Sequence, residues 1–368
     1  MDGRERVTEH DRQMIRRCLS LARRAEGRTS PNPLVGSLIE KDGEIIGEGF
    51  HPGPGRPHAE VFALREAGER ARGATLYVNL EPCNHHGRTP PCTEAIIAAR
   101  IARVVAGTID PNPLVAGSGI RRLEGAGIQT LVGVEDEECE RLNEGFFHLI
   151  RFGKPFGIFK YAMTLDGKIA ASSGHSAWIT RPESRALVHQ LRAMTDAVIV
   201  GGNTVRRDNP LLTTHGISSC NPLRVVMSRS LDLPDTARLW NTDEAPTIVY
   251  TEDSDNVKLR QQLVTRGVEV ISFPTLTPRA VMADLRDRGC CKVLWECGGT
   301  LAARAIAEGT VQKIVAFIAP KLIGGPNALT PIGDLGLSLM TEAIALEKVQ
   351  VTYLDPDIRI EGYLSDPK

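Results

Sequence analysis

His58-Ala59-Glu60 and, further on, Pro82-Cys83 and Cys92 are the residues best suited to do chemistry. One histidine and two cysteines are ligands that zinc accepts, and three of them leave a fourth position for water, as in catalytic rather than structural zinc sites. A His-x-Glu followed by Pro-Cys and a second Cys is the pattern of zinc-dependent base deaminases, in which the glutamate is a proton shuttle and not a ligand. That pattern places the second Cys after two residues; here eight separate Cys83 from Cys92. Local structure is expected to close the gap. Pro57 precedes a stretch of helical composition that runs to Gly73, so His58 and Glu60 fall in the first turn of a helix. Thr89-Pro90-Pro91 reads as a cap and a proline first turn that open a second helix at Cys92. Cys83 directly follows an apolar strand over 74–80. Two helix starts and one strand end thus converge, and their free N–H groups favour thiolates. Zinc brings a water to a pKa of about 7, and Glu60 would carry its proton to a leaving amine. The plainer reading is a helix-start histidine beside core thiols. It accounts for any one of these residues but poorly for the combination.

The elements that must position these groups follow from the rest of the chain. At 368 residues it is long for one core, so two domains are expected. A hydrophobic share of 42% with 24% charged residues fits a globular protein. The net charge of −1 lacks the basic excess of a nonspecific nucleic-acid binder, so no nucleic-acid partner is expected. No apolar run approaches membrane-spanning length, and the charged N-terminus has no secretory core behind it, so no membrane association is expected. Eight scattered cysteines suit a reduced, cytoplasmic setting.

Thr8-Glu9-His10-Asp11 has the form of a capping box for a helix that Gly27 stops. Strands over 34–39 and 45–50 are joined by Asp42-Gly43, a hairpin signal. Asn32, in Ser30-Pro31-Asn32-Pro33, could bind a planar amide-like ligand or simply shape a turn. Strands at 103–109 and 128–132 flank a helix at 120–125, and one long helix is expected over 135–152. Alternating helices and strands predict a sheet covered on both faces.

Gly153-Lys154-Pro155 marks a boundary, giving domains at 1–152 and 153–368. In the second, a strand over 197–200 runs into Gly201-Gly202-Asn203-Thr204, with a loop over 206–214. A strand over 292–295 runs into Glu296-Cys297-Gly298-Gly299-Thr300 and then a helix. Strand, glycines, helix is the physics of phosphate binding, although a tight turn explains any single Gly-Gly equally well. The pair points to a dinucleotide or sugar phosphate; the missing GxGxxG spacing argues against a standard Rossmann domain. Strands at 349–354 and 358–364 form a closing hairpin.

With these motifs in hand, the chain resembles the bifunctional deaminase/reductase family of riboflavin biosynthesis. TSPNPLVG (29–36), PHAEV (57–61) and LEPCNHHGRTPPCTEA (80–95) carry the resemblance in the first half, including the long Cys–Cys gap. FKYAMTLDGKIA, GHSAWIT, VHQLR, DNPLLT and IAPKLIGG carry it in the second. The resemblance implies an α/β protein with an N-terminal cytidine-deaminase-like α/β/α domain and a C-terminal dihydrofolate-reductase-like α/β domain. It implies zinc on His58, Cys83 and Cys92, Glu60 as catalytic residue, and substrate contacts from Asn32, His51, His85 and Arg88. It further implies NADPH, with Ala162, Trp178, Thr204, Asp208, Gly298, Gly299, Thr300 and Leu301 meeting the cofactor. Ser176, Arg192, Leu212, His215 and Glu296 would meet a phosphorylated pyrimidine substrate. Trp178 has the alternative of an aromatic core residue. A homo-oligomer is the expected assembly. Three departures from the family pattern stand out: Thr214-His215 where arginine is usual, Ser228 where aspartate is common, and Cys297-Gly298-Gly299 after Glu296. A histidine grips phosphate less firmly than a forked guanidinium. Competing readings are a deaminase with a disabled reductase half, a nucleic-acid base deaminase, and a binding module with structural zinc.

Overall fold

A computed structural model describes residues 6–86, 90–113, 115–252 and 256–365. The chain divides into two compact units, Met1–Gly153 and Lys154–Lys368. The N-terminal unit runs α1 (Glu9–Arg23), β1 (Gly36–Lys41), β2 (Glu44–Phe50), α2 (Ala59–Ala67), β3 (Thr75–Leu80), α3 (Cys92–Ala98), β4 (Arg103–Thr108), α4 (Ser118–Gly125), β5 (Gln129–Val132), α5 (Asp136–Leu142) and α6 (Glu144–Phe152). Its sheet has the order β2-β1-β3-β4-β5. β1 is antiparallel to both neighbours, and β3, β4 and β5 are parallel.

Strand alternation divides the core between two faces. Leu76, Val78, Val104 and Ala106 meet α2, α3 and α4 through Ala63, Ile96 and Leu123. Tyr77 and Val105 meet α1 and α5 through Ile15, Cys18 and Cys139. The two-faced cover predicted from the sequence is what forms. The capping box at Thr8 and Asp11 is present. The β1–β2 hairpin turns through Asp42 and Gly43, both at positive φ, as a type I′ turn requires.

Two boundaries differ from expectation. The helix predicted to reach Gly73 ends at Ala67, where Gly68 at φ 55° starts a 3-10 turn over Gly68–Ala71. The single helix expected over 135–152 is two, broken at Asn143. There the Asn143 side chain accepts from Leu34 N–H (2.7 Å) and donates to Leu34 C=O (2.9 Å). The break thus satisfies the backbone that leads into β1.

The C-terminal unit runs β6 (Phe156–Thr164), α7 (Pro182–Ala193), β7 (Ala197–Gly201), α8 (Gly202–Asp208), β8 (Leu223–Met227), β9 (Thr247–Thr251), α9 (Val257–Thr265), β10 (Glu269–Ser272), α10 (Pro278–Asp287), β11 (Lys292–Trp295), α11 (Gly299–Ala307), β12 (Lys313–Ala319), β13 (Leu346–Leu354) and β14 (Asp357–Leu364). The loop expected from Arg206 begins only after Asp208, because α8 continues to that residue. The sheet order is β10-β9-β8-β7-β11-β6-β12-β14-β13. From β10 to β12 the strands are parallel; β14 and β13 add an antiparallel edge, the predicted hairpin. α10 and α11 cover one face and α7, α8 and α9 the other. The chain leaves β7 toward β8 on one side and leaves β11 toward β12 on the other. The order therefore reverses between β7 and β11, the place where open α/β sheets bind ligands.

Candidate active sites

The first site is built on α2, β3 and α3. His58 is the N-cap of α2, with extended backbone, and Glu60 lies in the first turn. β2 brings this helix close because it has no side chain at Gly47 and Gly49. A Cβ there would overlap the carbonyls of Ala63 and Ala59. Cys83 follows β3, and Cys92 opens α3, its N–H donating to Cys83 Sγ at 3.3 Å.

His58 Nδ1 lies 3.2 Å from Cys92 Sγ and 3.4 Å from Cys83 Sγ, and the three donor atoms sit within 4.8 Å of one another. Tetrahedral zinc with ordinary Zn–N and Zn–S lengths sets nitrogen and sulfur about 3.5 Å apart, so the donors fit this ion. The donors share protons accordingly. The contact with Cys92, against the effect of burial, brings the Cys83 thiol down to about 4, while the same contact and burial push Cys92 up. Glu60 is buried, its Oε2 has no hydrogen-bond partner among the described residues, and burial raises its pKa. A buried carboxylate oxygen left without a partner among the described residues is unusual, and it is suited to receive a proton from a bound molecule.

Asn32 and His51 are brought together beside His58. The His51 ring meets the His58 ring edge-on at 5.3 Å. His51 Nδ1 lies 3.1 Å from the Pro57 carbonyl, and Nε2 lies 3.0 Å from Asn32 Nδ2. Donation from Nδ1 to the carbonyl leaves Nε2 to accept from the amide, which defines a neutral tautomer. Burial lowers the His51 pKa in the same sense. His85 is exposed. Arg88 lies outside the described residues.

Sequence reasoning missed Glu81. Its buried carboxylate accepts from the N–H groups of Gly117 (2.8 Å), Gly119 (2.9 Å), Ile120 (3.2 Å) and Asp110 (3.3 Å). It fixes the start of α4 against the strand end that carries Cys83. An ionisable residue ending the apolar run of β3 was the available signal.

The second site lies at the reversal point of the larger sheet. A cavity of about 710 Å³ is lined by both glycine turns, Gly201–Thr204 and Gly298–Leu301. Ser176, Asp208 and Ser228 also line it, with Ser176 Oγ 3.2 Å from Asp208 Oδ1. On the α7 side, Glu296 is held by Arg192 through Nε–Oε1 (2.6 Å) and Nη2–Oε2 (3.1 Å), and by Lys160 Nζ at 2.9 Å. Burial opposes ionisation of Glu296, but the two cations outweigh it and hold the carboxyl far below the usual range. Lys160 was not singled out from the sequence, although a lone charge inside the apolar run of β6 marked it. His215 stacks on His189 with ring centroids 4.1 Å apart. Burial, together with Arg192 and other neighbouring cations, lowers both pKa values, His189 to about 4.

Three of the residues expected at the second site stand apart from the cavity lining. Ala162 does not line the cavity: strand alternation places it on the same face of β6 as Lys160, half-buried against the core under α7. The Leu212 side chain is buried in that core with Val198 and Val200, so it cannot reach a ligand there; its backbone, at φ 56°, shapes the loop. Trp178 is not a core residue. It is 72% exposed, with the Arg185 guanidinium 4.5 Å from its ring, and it does not line the cavity.

Residues 155–360 match the RibD C-terminal domain family, and residues 8–108 match the cytidine and deoxycytidylate deaminase zinc-binding region. The riboflavin biosynthesis protein RibD of Synechocystis sp. is 60% identical over 354 residues, with 96% of each chain covered. The chain belongs to the RibD family. RibD of Aquifex aeolicus is 44% identical, covering 96% of this chain and 98% of its own. Among solved structures, Acinetobacter baumannii RibD superposes with a TM-score of 0.85 at 37% identity, covering 97% of this chain and 99% of its own. A Thermotoga maritima protein described as a diaminohydroxyphosphoribosylaminopyrimidine deaminase/5-amino-6-(5-phosphoribosylamino)uracil reductase gives 0.85 at 36% identity, covering 96% and 99%. As a RibD family member, the chain is a bifunctional riboflavin biosynthesis enzyme, a zinc-dependent deaminase joined to an NADPH-dependent reductase. It acts on a small molecule. Among the described residues, no helix is long and apolar enough to cross a membrane.

Proposed function

We propose that the enzyme deaminates 2,5-diamino-6-(5-phosphoribosylamino)pyrimidin-4-one and then reduces the ribosyl group of the product, giving 5-amino-6-(5-phosphoribitylamino)uracil. The observation that carries this reading is the pairing of a His/Cys/Cys donor set beside the buried Glu60, whose Oε2 has no partner among the described residues, with a glycine-lined cavity in the second unit. In this reading, Met1–Gly153 performs the first step and Lys154–Lys368 the second. His58, Cys83 and Cys92 hold zinc, which when bound supplies Lewis-acid activation of water. Glu60 takes a proton from the attacking water and returns it to the departing amino group, so that the C–O bond forms, the C–N bond breaks and ammonia leaves. Asn32 and His51 hold the pyrimidine by its polar edge, and His85 and Arg88 are further substrate contacts in this reading. NADPH, when bound in the cavity of the second unit, would supply the hydride that reduces the ribosyl group. The glycine turns, Thr204 and Asp208 seat the cofactor, with Trp178 at its edge, and Arg192, Glu296, Ser176 and His215 seat the sugar phosphate. Net charge and family membership leave no observation in favour of a nucleic-acid substrate.

The decisive experiment is the product mass with NADPH withheld and then supplied. Deamination without NADPH, followed by a gain of two hydrogens on its addition, is expected. Deamination alone would mean that the reductase half is disabled; no mass change in zinc-loaded enzyme would remove the substrate assignment.

The assembly we propose is a homo-oligomer in the cytoplasm. β13 is an edge strand that exposes Val349, Val351 and Tyr353, alternate residues of one apolar face. A second copy is the partner that such an edge suits. Native mass spectrometry should give a dimer or higher that Val351→Lys dissociates; a monomeric parent would overturn this. All eight cysteines are free thiols, which suits the cytoplasm. Fractionation with the cell envelope would contradict that location.

A further inference from the structure

We infer that His189 is the positioning residue for His215: its ring is the platform that presents the His215 ring to the substrate's phosphate, so that one proton is taken up as the phosphate binds. The inference rests on the reading of His215 as a phosphate contact. The two imidazoles stack with centroids 4.1 Å apart and planes 20° from parallel. Apart from this stack, neither ring makes a hydrogen bond or ion pair with the described residues. His215 is exposed and His189 is half-buried behind it.

α7 supplies the platform. His189 and Arg192 lie one turn apart on that helix and share a face. Arg192 ties the neighbouring loop to this face, since its Nη1 donates to the Thr213 carbonyl at 3.0 Å. Asn221 fixes the next residue: its Oδ1 accepts from Thr214 N–H (2.8 Å) and from Thr214 Oγ1 (2.9 Å). His215 and Gly216 then follow with φ 51° and 83°, two left-handed residues that make a tight bend. The loop is anchored up to Thr214, and the stack fixes the ring that the bend leaves exposed.

The surrounding charge favours an anion. Arg192 and Lys160 share the single carboxylate of Glu296, which leaves one net positive charge beside the stack. On the loop side, Arg238 and Glu244 face His215 with opposite charges. While the site is empty, burial and the cations keep both rings neutral, and His189 is held to about 4. A phosphate dianion reverses that balance at the exposed ring. Only one ring takes the proton, because two imidazolium rings 4.1 Å apart repel, whereas a neutral ring beneath a cation attracts it.

The test follows the reductase step of the full-length enzyme on the deaminated, phosphorylated substrate from about pH 6.5 to 8.5, where a phosphate with a second pKa of about 6 is a dianion. NADPH binding checks that the C-terminal unit is folded. The empty His215 titrates below its ordinary value and the occupied one above it, so affinity is full at the acid end and is lost as pH rises toward the occupied value. Uptake of one proton predicts that the parent's Michaelis constant climbs by up to about tenfold per pH unit. His215→Arg, which keeps its charge throughout, should flatten the profile. His189→Ala should raise the Michaelis constant roughly 2- to 10-fold at the acid end, the range of one stacked ring pair, with turnover within about 2-fold. That excess should shrink at the alkaline end, where His215 is neutral in either protein. His189→Phe keeps a platform and should match the parent. A flat parent profile, a His189→Ala variant that matches the parent, or a His189→Phe variant as impaired as His189→Ala would overturn the inference. His215→Ala separates it from the reading beneath. An unchanged Michaelis constant at the acid end would mean that His215 is no phosphate contact, and the inference falls with it. A raised constant together with any of the three overturning results would keep the contact and remove only the platform and its proton.

Discussion

Glu60→Gln lowers deamination by roughly 10²–10⁴-fold, the range that a positioned general acid–base contributes. Zinc content and NADPH-dependent reduction of the pre-deaminated substrate should stay at parent levels. The substitution changes the proton chemistry and little else. Glutamine keeps the shape of the side chain at the first turn of α2. It removes the charge of a buried carboxylate whose Oε2 has no partner among the described residues, so no protein contact of that oxygen is lost. The variant is therefore expected to be at least as stable as the parent, since an unsolvated charge is costly where it sits. Measuring zinc stoichiometry, thermal unfolding and single-turnover deamination on one preparation separates these effects. Parent-level deamination with zinc bound would remove Glu60 from the reaction and favour a structural metal. A parallel loss of zinc would make Glu60 a support of the metal site instead.

What could be read from the sequence was what local chemistry dictates. Asp42-Gly43 specifies its hairpin because few residue pairs accept positive φ twice in succession. His58, Cys83 and Cys92 declared themselves because their side chains share one type of ligand, and the structure brings their donor atoms within 4.8 Å. The two glycine turns were each ambiguous. They became a site only when β7 and β11 proved to be neighbours at the point of strand reversal, a relation no local pattern carries. The features that local pattern did not show have the same origin. Asn143 breaks a well-patterned helix because Leu34, more than a hundred residues earlier, takes both of its hydrogen bonds. Leu212 and Ala162 sit near ligand-type residues in sequence, yet their orientation is set by the core and by strand alternation. Glu81 and Lys160 went unnoticed because each looked like an isolated charge. Their partners, four backbone N–H groups and one distant carboxylate, exist only in the folded chain.

Glu296→Gln should destabilise the C-terminal unit by about 3–5 kcal/mol, the usual cost of removing one partner from a buried ion pair. Glu296, Arg192 and Lys160 have side-chain exposures of 9%, 10% and 15%. The neutral amide would leave two neighbouring cations with poor solvent access facing each other. The dependence on pH has a definite sign. The folded carboxyl titrates far below its ordinary value, so its contribution is fully present above an unfolded pKa of about 4.3 and fades as pH falls toward the folded value. The gap between parent and variant should therefore be flat from about pH 5 to 8 and narrow in acid. Coupling supplies the second check. Adding Lys160→Met removes one of the two stranded charges, so the double variant should be less destabilised than the sum of the singles. The same triad orients Arg192, whose Nη1 also donates to the Thr213 carbonyl at 3.0 Å in the loop that leads to His215. Loss of Glu296 should thus raise the Michaelis constant for the phosphorylated substrate in the reductase step even at temperatures where the fold persists. Unfolding free energies within about 1 kcal/mol of the parent at neutral pH would mean that water, not burial, governs this cluster. An unchanged Michaelis constant in a folded variant would remove the triad from the substrate site.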